Sequence, residues 1–238
     1  MKNISILGVT GSIGISTLKI YSNFKEQLNI IAVSTNKQIK PLLEIIDNNR
    51  IEYAVVFDEK AMIDFFGTKE KNYNGVKIYS GANGLEKICS DKNNDIIING
   101  ISGKAGLVPS FNILSNGINL ALANKESMVC AGSILKKIAK KNNCSIIPVD
   151  SEHSAIFQLI NKHGKDNLSN VILTASGGPF LKLDKSQWGN ITIEDALNHP
   201  TWKMGNKITI DSATMANKGL EVIEAFELFD VNMIILKF

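Results

Sequence analysis

Short apolar runs rich in β-branched residues alternate with helical spacings over about the first 150 residues of the chain. Ile4–Leu7, Asn29–Val33, Tyr53–Phe57, Val76–Tyr79, Asp95–Ile98, Ile118–Ala121 and Ser145–Val149 read as strands. Ser12–Phe24 reads as a helix with Ile13, Leu18 and Tyr21 on one side, Ile39–Asp47 as a second, and Glu126–Lys140 as the clearest of all. Strands separated by crossovers of this length predict a parallel sheet with helices on both faces, the doubly wound α/β plan. After Val149 the texture changes. Val171–Thr174 and Lys207–Ile210 look like strands, Asn217–Phe229 like a helix, and Leu181–Gly205 like a long polar, tryptophan-bearing loop of the kind that forms lids. The boundary falls near Asp150, giving a first domain of residues 1–149 and a second, partial α/β domain of 150–238.

Gly8-Val9-Thr10-Gly11-Ser12-Ile13-Gly14 lies between the first strand and the first helix. There, glycines let the backbone turn tightly and approach a pyrophosphate, whose charge rests on the helix N-terminus. The spacing is GxxGxxG, and a glycine-rich turn without a ligand is the plainer alternative. The end of the second strand reads Ser34-Thr35-Asn36-Lys37-Gln38, with Lys40 close by. A site for NAD would carry an acid there to bond the ribose hydroxyl. Two cations and no acid point instead to the 2′-phosphate of NADPH, unless Lys37 is a solvated loop lysine.

Asp150 and Glu152 follow an apolar strand at its carboxyl end, where open α/β sheets bind ligands. In extended backbone they point the same way, with His153 on the other side. Two adjacent like charges call for a cation, and oxygen ligands favour Mg²⁺ or Mn²⁺. An N-cap followed by a first-turn acid is the alternative reading. On the expected last helix, Asn217, Lys218 and Glu221 share a face by i+3 and i+4 spacing, which suits a polyhydroxy substrate beside a metal or simply a solvated ion pair. Thr174-Ala175-Ser176-Gly177-Gly178-Pro179 offers a hydroxyl and backbone amides for a phosphate, or is a plain turn.

Composition narrows the field without adding chemistry. Of 238 residues, 26 are Lys or Arg and 23 Asp or Glu, a net charge of +3, which makes no case for nucleic acid or an anionic membrane. Hydrophobic residues at 44% and charged residues at 21% are those of a soluble globular protein. Cys89, Cys130 and Cys144 are widely spaced and form no CxxC, so neither a disulfide framework nor a zinc site is expected and a reducing compartment fits. No apolar run approaches the roughly 18 residues of a membrane span. The strand pattern beginning at Asn3 leaves no room for a leader, and the expected location is cytoplasmic.

Six segments occur in order: GVTGSIG at 8–14, NGISGKAG at 99–106, LANKES at 122–127, PVDSEHSAIFQ at 148–158, TASGGPF at 174–180 and HPTWKMGNKITIDSATMANKGLE at 199–221. Together they make the chain resemble the 1-deoxy-D-xylulose 5-phosphate reductoisomerase family of the non-mevalonate isoprenoid pathway, over about the first 230 residues. The resemblance implies rearrangement of a ketose phosphate followed by reduction with NADPH, a divalent metal, and a homodimer. By position it implies Asp150, Glu152 and Glu221 as metal ligands. It makes Lys125, Glu152, His199 and Lys218 catalytic groups, and Ser151, Ser176, Trp202, Ser212 and Asn217 further substrate contacts alongside Lys125, Glu152, His199, Lys218 and Glu221. His199 and Trp202, with Met204 beside them, match a flexible lid. Thr10, Gly11, Ser12, Ile13, Asn124, Glu126 and Gly205 match NADPH contacts, in company with Gly8, Gly14, Asn36, Lys37 and Gln38.

The family commonly has Gly-Lys-Asn where this chain has Asn36-Lys37-Gln38, so the lysine is kept and its neighbours differ. Residues 230–238 resemble the family's continuation poorly. The expectation is therefore an incomplete catalytic domain without the family's C-terminal helical domain. A remnant that keeps only nucleotide binding is the rival reading. An unrelated dehydrogenase is a third, which the DSE and SATMANKGLE segments oppose.

Overall fold

The computed structural model describes residues 1–202, 204–230 and 236–237. The expectation for the tail, residues 231–238, lies outside them apart from 236–237. The elements run β1 (Lys2–Leu7), α1 (Ser12–Asn23), β2 (Leu28–Thr35), α2 (Ile39–Asn48), β3 (Ile51–Val56), α3 (Glu59–Phe66), β4 (Lys71–Tyr73), β5 (Val76–Ser80), α4 (Gly81–Ser90), β6 (Ile96–Asn99), α5 (Leu107–Ser115), β7 (Asn119–Leu122), α6 (Lys125–Lys141) and β8 (Ile146–Pro148). These are followed by α7 (Ser151–His163), β9 (Val171–Ile172), α8 (Ile193–Leu197), α9 (Asn206–Ala213), α10 (Ala216–Phe229) and β10 (Leu236–Lys237).

Eight strands form one sheet in the order β4-β5-β3-β2-β1-β6-β7-β8. Every pairing is parallel except β4 with β5. The doubly wound α/β expectation therefore holds. The antiparallel β4 is an addition, joined to β5 through Asn74 and Gly75, both at positive φ. An Asn-Gly pair is the favoured two-residue hairpin turn, so the signal stood in the sequence. Chain order reverses across β1, with β2 on one side and β6 on the other. That opens the crevice in which such sheets bind ligands.

Alternating strand residues feed two cores. Ile4, Ile6, Ala54, Val56 and Ile78 join Tyr21, Leu42 and Met62 on one face. Leu7, Tyr53, Val55 and Ile97 join Ile88, Ile113, Leu120 and Leu135 on the other. A bulge interrupts the β1–β2 ladder, where Ile4 pairs with Ile30 but Ser5 pairs with Ala32. The Ala32 N–H donates to Ser5 Oγ at 3.1 Å, and Ser5 in turn donates to Asn94 Oδ1 at 2.6 Å. That accounts for a serine with no exposed surface in the middle of the sheet.

Past β8, a third small core gathers Val171, Leu173, Ala225 and Phe229 with Ile156, Phe157 and Ile160, so α7, β9 and α10 pack together. Helix α10 also lies along α6. A Cβ at Gly132 would come within 2.7 Å of Glu227, and Ala131 next to it breaks the regular helix at φ −149°. Two expectations need correction here. Lys207–Ile210 is not a strand but part of α9. Thr209 is buried, its amide and hydroxyl both donate to the Gly205 carbonyl, and Lys207 pairs with Asp211 one turn on at 2.6 Å. The β-branched Ile-Thr-Ile run imitates a strand, but those local bonds fix a helix. The stretch from Leu181 onward is not a structureless loop either, since it holds a 3₁₀ turn at Lys185–Asn190 and α8, which Thr192 and Asp195 start with a capping box.

Gly14 shows how tightly α1 sits on β1. A Cβ there would stand 2.3 Å from the Val9 carbonyl oxygen and 2.4 Å from Val9 Cα, both backbone atoms that cannot yield cheaply. Gly14→Ala should therefore cost about 1–3 kcal/mol, the scale of overpacking. Gly189→Ala, which meets open space, should be close to neutral in the same urea melts followed by circular dichroism.

Candidate active site

Three segments meet beyond the carboxyl ends of β7 and β8. Asp150 and Glu152 open α7, Lys125 opens α6, and Asn217, Lys218 and Glu221 come from α10. One oxygen from each of Asp150, Glu152 and Glu221 lies within 4.8 Å of the others. Lys125 Nζ is 2.6 Å from Asp150 Oδ2 and 3.2 Å from Glu221 Oε1, and donates to Asn217 Oδ1 at 2.8 Å. Lys218 pairs closely with Glu221, reaches Glu152 Oε1 at 3.3 Å and donates to the Thr174 carbonyl. Asn217 donates to Glu221 as well. The i+3 and i+4 spacing on α10 thus aims three polar groups into one cluster, as expected. Ser151 caps its rim, donating to Glu152 Oε2 at 2.6 Å.

Asp150 occupies the N-cap position of α7 but accepts no bond from the first turn. Asp58, by contrast, caps α3 in the ordinary way through the Ala61 amide. The Asp150 carboxylate is drawn instead to Lys125 and His153. Burial opposes its ionisation, but those two neighbours hold it well below the usual carboxylate range. Burial also opposes charge on Lys125, yet Asp150 and Glu221 keep its pKa above the ordinary lysine value. The plain capping role is not the one this aspartate plays. The expected orientation of His153 also needs correction. Because α7 begins at Ser151, the period is helical rather than extended, and His153 returns to the Asp150 side with Nδ1 3.7 Å from Oδ1.

The glycine loop lies across the sheet crevice. Gly8 has φ +76°, and a Cβ on it would meet the Gly100 carbonyl oxygen at 3.1 Å, so the tops of β1 and β6 approach closely. The Val9 amide donates to the Ser34 carbonyl at 2.8 Å, and the Thr10 and Thr35 hydroxyls are 2.7 Å apart, tying the loop to the end of β2. Gly11 caps α1 without a side-chain bond, and the first turn contains no acid. Amides left open beside a positive helix end are a seat for an anion. Asn36, Lys37 and Gln38 are exposed just past β2, and Lys37 and Gln38 line an open cleft of about 400 Å³ with Pro41, Asp64 and Phe65.

Comparison with known proteins decides the family. The family model described as 1-deoxy-D-xylulose 5-phosphate reductoisomerase matches residues 4–132, and that of the C-terminal domain of the same enzyme matches residues 146–229. The chain belongs to the 1-deoxy-D-xylulose 5-phosphate reductoisomerase family. The Clostridium kluyveri reductoisomerase is 46% identical over 231 residues, which is 97% of this chain and 60% of the relative. The Clostridium acetobutylicum reductoisomerase is 46% identical over 235 residues, again 60% of its length. A crystal structure of DOX-P reductoisomerase in complex with NADPH, fosmidomycin and magnesium superposes with a TM-score of 0.88 at 36% identity, covering all of this chain and 60% of that one. The Zymomonas mobilis reductoisomerase in complex with NADPH gives 0.84 at 36% identity, covering 99% and 60%. The chain thus spans about three-fifths of the length of these reductoisomerases.

Other residues singled out by the reductoisomerase resemblance sit apart from the carboxylates. Ser176 is exposed in the turn after β9, and its neighbour Gly178 packs on the Ser212 carbonyl, where a Cβ would come within 2.5 Å. Ser212 donates back to Ile208 O at 2.7 Å. His199 Nδ1 accepts from the Thr201 and Trp202 amides, and Trp202 is 59% exposed. Among the described residues, no hydrogen bond or ion pair joins Ser176, Ser212, His199 or Trp202 to the cluster. Met204 is half-buried and Gly205 caps α9. Asn124 is buried, and its side chain is fully engaged. Its oxygen accepts from the Ser127 amide, and its nitrogen donates to Ile101 O and Gly103 O. Glu126 pairs with Lys207 at 2.7 Å, a contact the strand reading of Lys207 could not anticipate.

The cluster predicts its own fragility. Lys125 is 6% exposed and is the direct partner of Asp150, so Lys125→Met should leave buried carboxylates uncompensated. The expected loss is about 3–5 kcal/mol, the cost of breaking a buried pair from one side, read from urea unfolding at neutral pH.

Proposed function

We propose that this chain carries the NADPH- and divalent-metal-dependent step in which 1-deoxy-D-xylulose 5-phosphate is rearranged and reduced to 2-C-methyl-D-erythritol 4-phosphate. The observation that carries this reading is the convergence of Asp150, Glu152 and Glu221 within 4.8 Å, beside two buried lysines and at the mouth of a nucleotide-type crevice. The donor set suits a hard cation, because it is all carboxylate oxygen with no sulfur or imidazole in the trio. The cradle suits a dinucleotide, since Gly8, Gly11 and Gly14 keep side chains out of the turn and α1 leaves its first amides open. On this reading the chain divides at Asp150, with residues 1–149 binding cofactor and 150–238 binding metal and substrate.

When bound, Mg²⁺ or Mn²⁺ supplies Lewis-acid stabilisation of charge on adjacent substrate oxygens. Lys125 and Lys218 hold the carboxylates at fixed separations and present N–H donors to the same space. Asn217 orients Glu221 and offers its amide to a hydroxyl. Ser176, Ser212 and the amides of the Gly177–Gly178 turn provide neutral donors for a phosphate at the edge of the cluster. The half-buried His199 and the exposed Trp202, on the segment before α9, serve as a lid whose closure excludes water from a reactive aldehyde. Thr10, Ser12 and Ile13 line the pyrophosphate turn. Asn124, with its side chain engaged, has only its backbone to offer the cofactor.

Lys37 and Lys40 flank the adenosine end, so NADPH should bind more tightly than NADH by about 1.5–3 kcal/mol, the scale of hydrogen bonds to a charged group. In fluorescence titrations Lys37→Ala should close most of that gap, and equal affinities in the parent would remove the case for NADPH.

Asp150→Asn, Glu152→Gln and Glu221→Gln should each weaken Mn²⁺ binding and leave NADPH binding nearly unchanged, because the two sites use different segments. Turnover of the 238-residue chain with sugar phosphate, Mn²⁺ and NADPH tests the whole reading. NADPH binding without turnover would favour the rival in which these residues keep nucleotide binding alone.

A further inference from the structure

Two buried ionisable groups behind the carboxylate trio have no role in the reading above. His153 has no exposed surface and Glu224 is 1% exposed. The imidazole is stacked on Phe229, with centroids 6.2 Å apart and planes inclined by 13°. Its Nε2 lies 2.9 Å from the Glu221 carbonyl oxygen. A carbonyl only accepts, so Nε2 donates. Nδ1 then faces Asp150 Oδ1 at 3.7 Å and Glu224 Oε2 at 3.5 Å. Neither distance is a made hydrogen bond, and Nδ1 and both Glu224 oxygens lack a partner. The Nδ1 edge of the ring thus faces two carboxyl groups, one on each of the elements it bridges.

A carboxyl group buried beside Phe229 with neither oxygen hydrogen-bonded is costly. Its place is intelligible if it acts on the ring. His153 bridges the two elements that carry the trio, touching the Asp150 side chain at the start of α7 and the Glu221 backbone on α10.

We propose that His153 and Glu224 are positioning residues for the ion-binding trio. The ring braces Asp150 against α10, and Glu224 fixes which way the Nδ1 side of the ring faces. The proposal rests on Asp150, Glu152 and Glu221 being the ion ligands. Asp150, His153 and Glu224 also lie within 4.8 Å of one another. That group is closed to solvent on the His153 and Glu224 side, whereas Glu152 keeps 23% of its side chain open. An ion therefore enters from the Glu152 side, and the sealed pair acts through Asp150.

The test uses the full chain, Mn²⁺ alone as the probe, and four variants. Glu224→Gln keeps the shape and removes the charge. His153→Gln keeps a donor for the Glu221 carbonyl and loses the Nδ1 contact, and His153→Leu loses both. Glu152→Gln removes a ligand. Mn²⁺ affinity by electron paramagnetic resonance is set beside NADPH affinity and metal-free urea unfolding. Glu224→Gln and His153→Leu should bind Mn²⁺ about 10- to 100-fold more weakly, the usual effect of losing a group that orients a ligand, with NADPH affinity unchanged. His153→Gln should fall between them and the parent. A merely structural pair would move unfolding and leave the Mn²⁺ affinity of the folded chain alone. If His153→Leu does not fold, the isosteric Glu224→Gln decides. Parent-like Mn²⁺ affinity in Glu224→Gln overturns the proposal while the trio stands. Failure of the parent to bind Mn²⁺ overturns both. Binding lost in Glu224→Gln but kept in Glu152→Gln would put the ion in the buried group and overturn the bracing role.

Discussion

Three carboxylates held within 4.8 Å of one another repel, and two buried ammonium groups make the arrangement tolerable. At an effective dielectric of about 20, two unit charges 4 Å apart interact by about 4 kcal/mol, so neither sign can stand there alone. Lys125 answers Asp150 and Glu221, and Lys218 answers Glu152 and Glu221. The partners come from α6, α7 and α10, which are far apart in sequence. Balancing the charges therefore requires the second half of the chain to be docked on the first. Mispairing any of these helices leaves a buried charge without its counterion, and that penalty makes the docking specific. Salt bridges of this kind add little net stability relative to apolar packing, so strength alone does not account for them.

The sheet supplies the other constraint. With β1 flanked by β2 and β6, two consecutive segments leave its neighbourhood in opposite directions, and the gap between their loops is bounded by Gly8 and Gly100. Helices α1 to α3 cover one face and α4 to α6 the other, so only the carboxyl edge remains open. Both the glycine loop and the Asp150 turn rise from that edge, one at its middle and one at its end. A cofactor on the first and an ion on the second would face the same volume by virtue of strand order alone.

Much of this was legible in the sequence because the signals were periodic or chemically narrow. The parallel strands through β8, the glycine turn and the shared face of Asn217, Lys218 and Glu221 all follow from period-2, period-3.6 or φ > 0 arguments, whereas the short antiparallel β4 does not. The misreadings have a common origin in short windows. Lys207–Ile210 is too brief for periodicity to separate strand from helix, and the deciding bonds to Gly205 and Asp211 lie at its borders. His153 falls opposite Asp150 only if strand phase runs on past Pro148, and α7 already begins at Ser151. Glu224 stands three residues after Glu221 on the same helix. The i+3 rule that found Glu221 from Lys218 would have found it too.

The N-terminus of α6 shows how the two regions can communicate. Asn124, Lys125 and Glu126 are consecutive, so one helical turn points them in three directions. Asn124 buttresses the Ile101–Gly106 loop at the top of β6, which faces the glycine turn. Lys125 enters the carboxylate cluster, and Glu126 holds Lys207 on α9, just after the segment bearing His199 and Trp202. A helix start is stiff, because its first turn is bonded on one side and capped on the other, and here the Asn124 side chain supplies that cap. The Ile101–Gly106 loop, the carboxylate cluster and α9 are thus all tied to a single capped helix start.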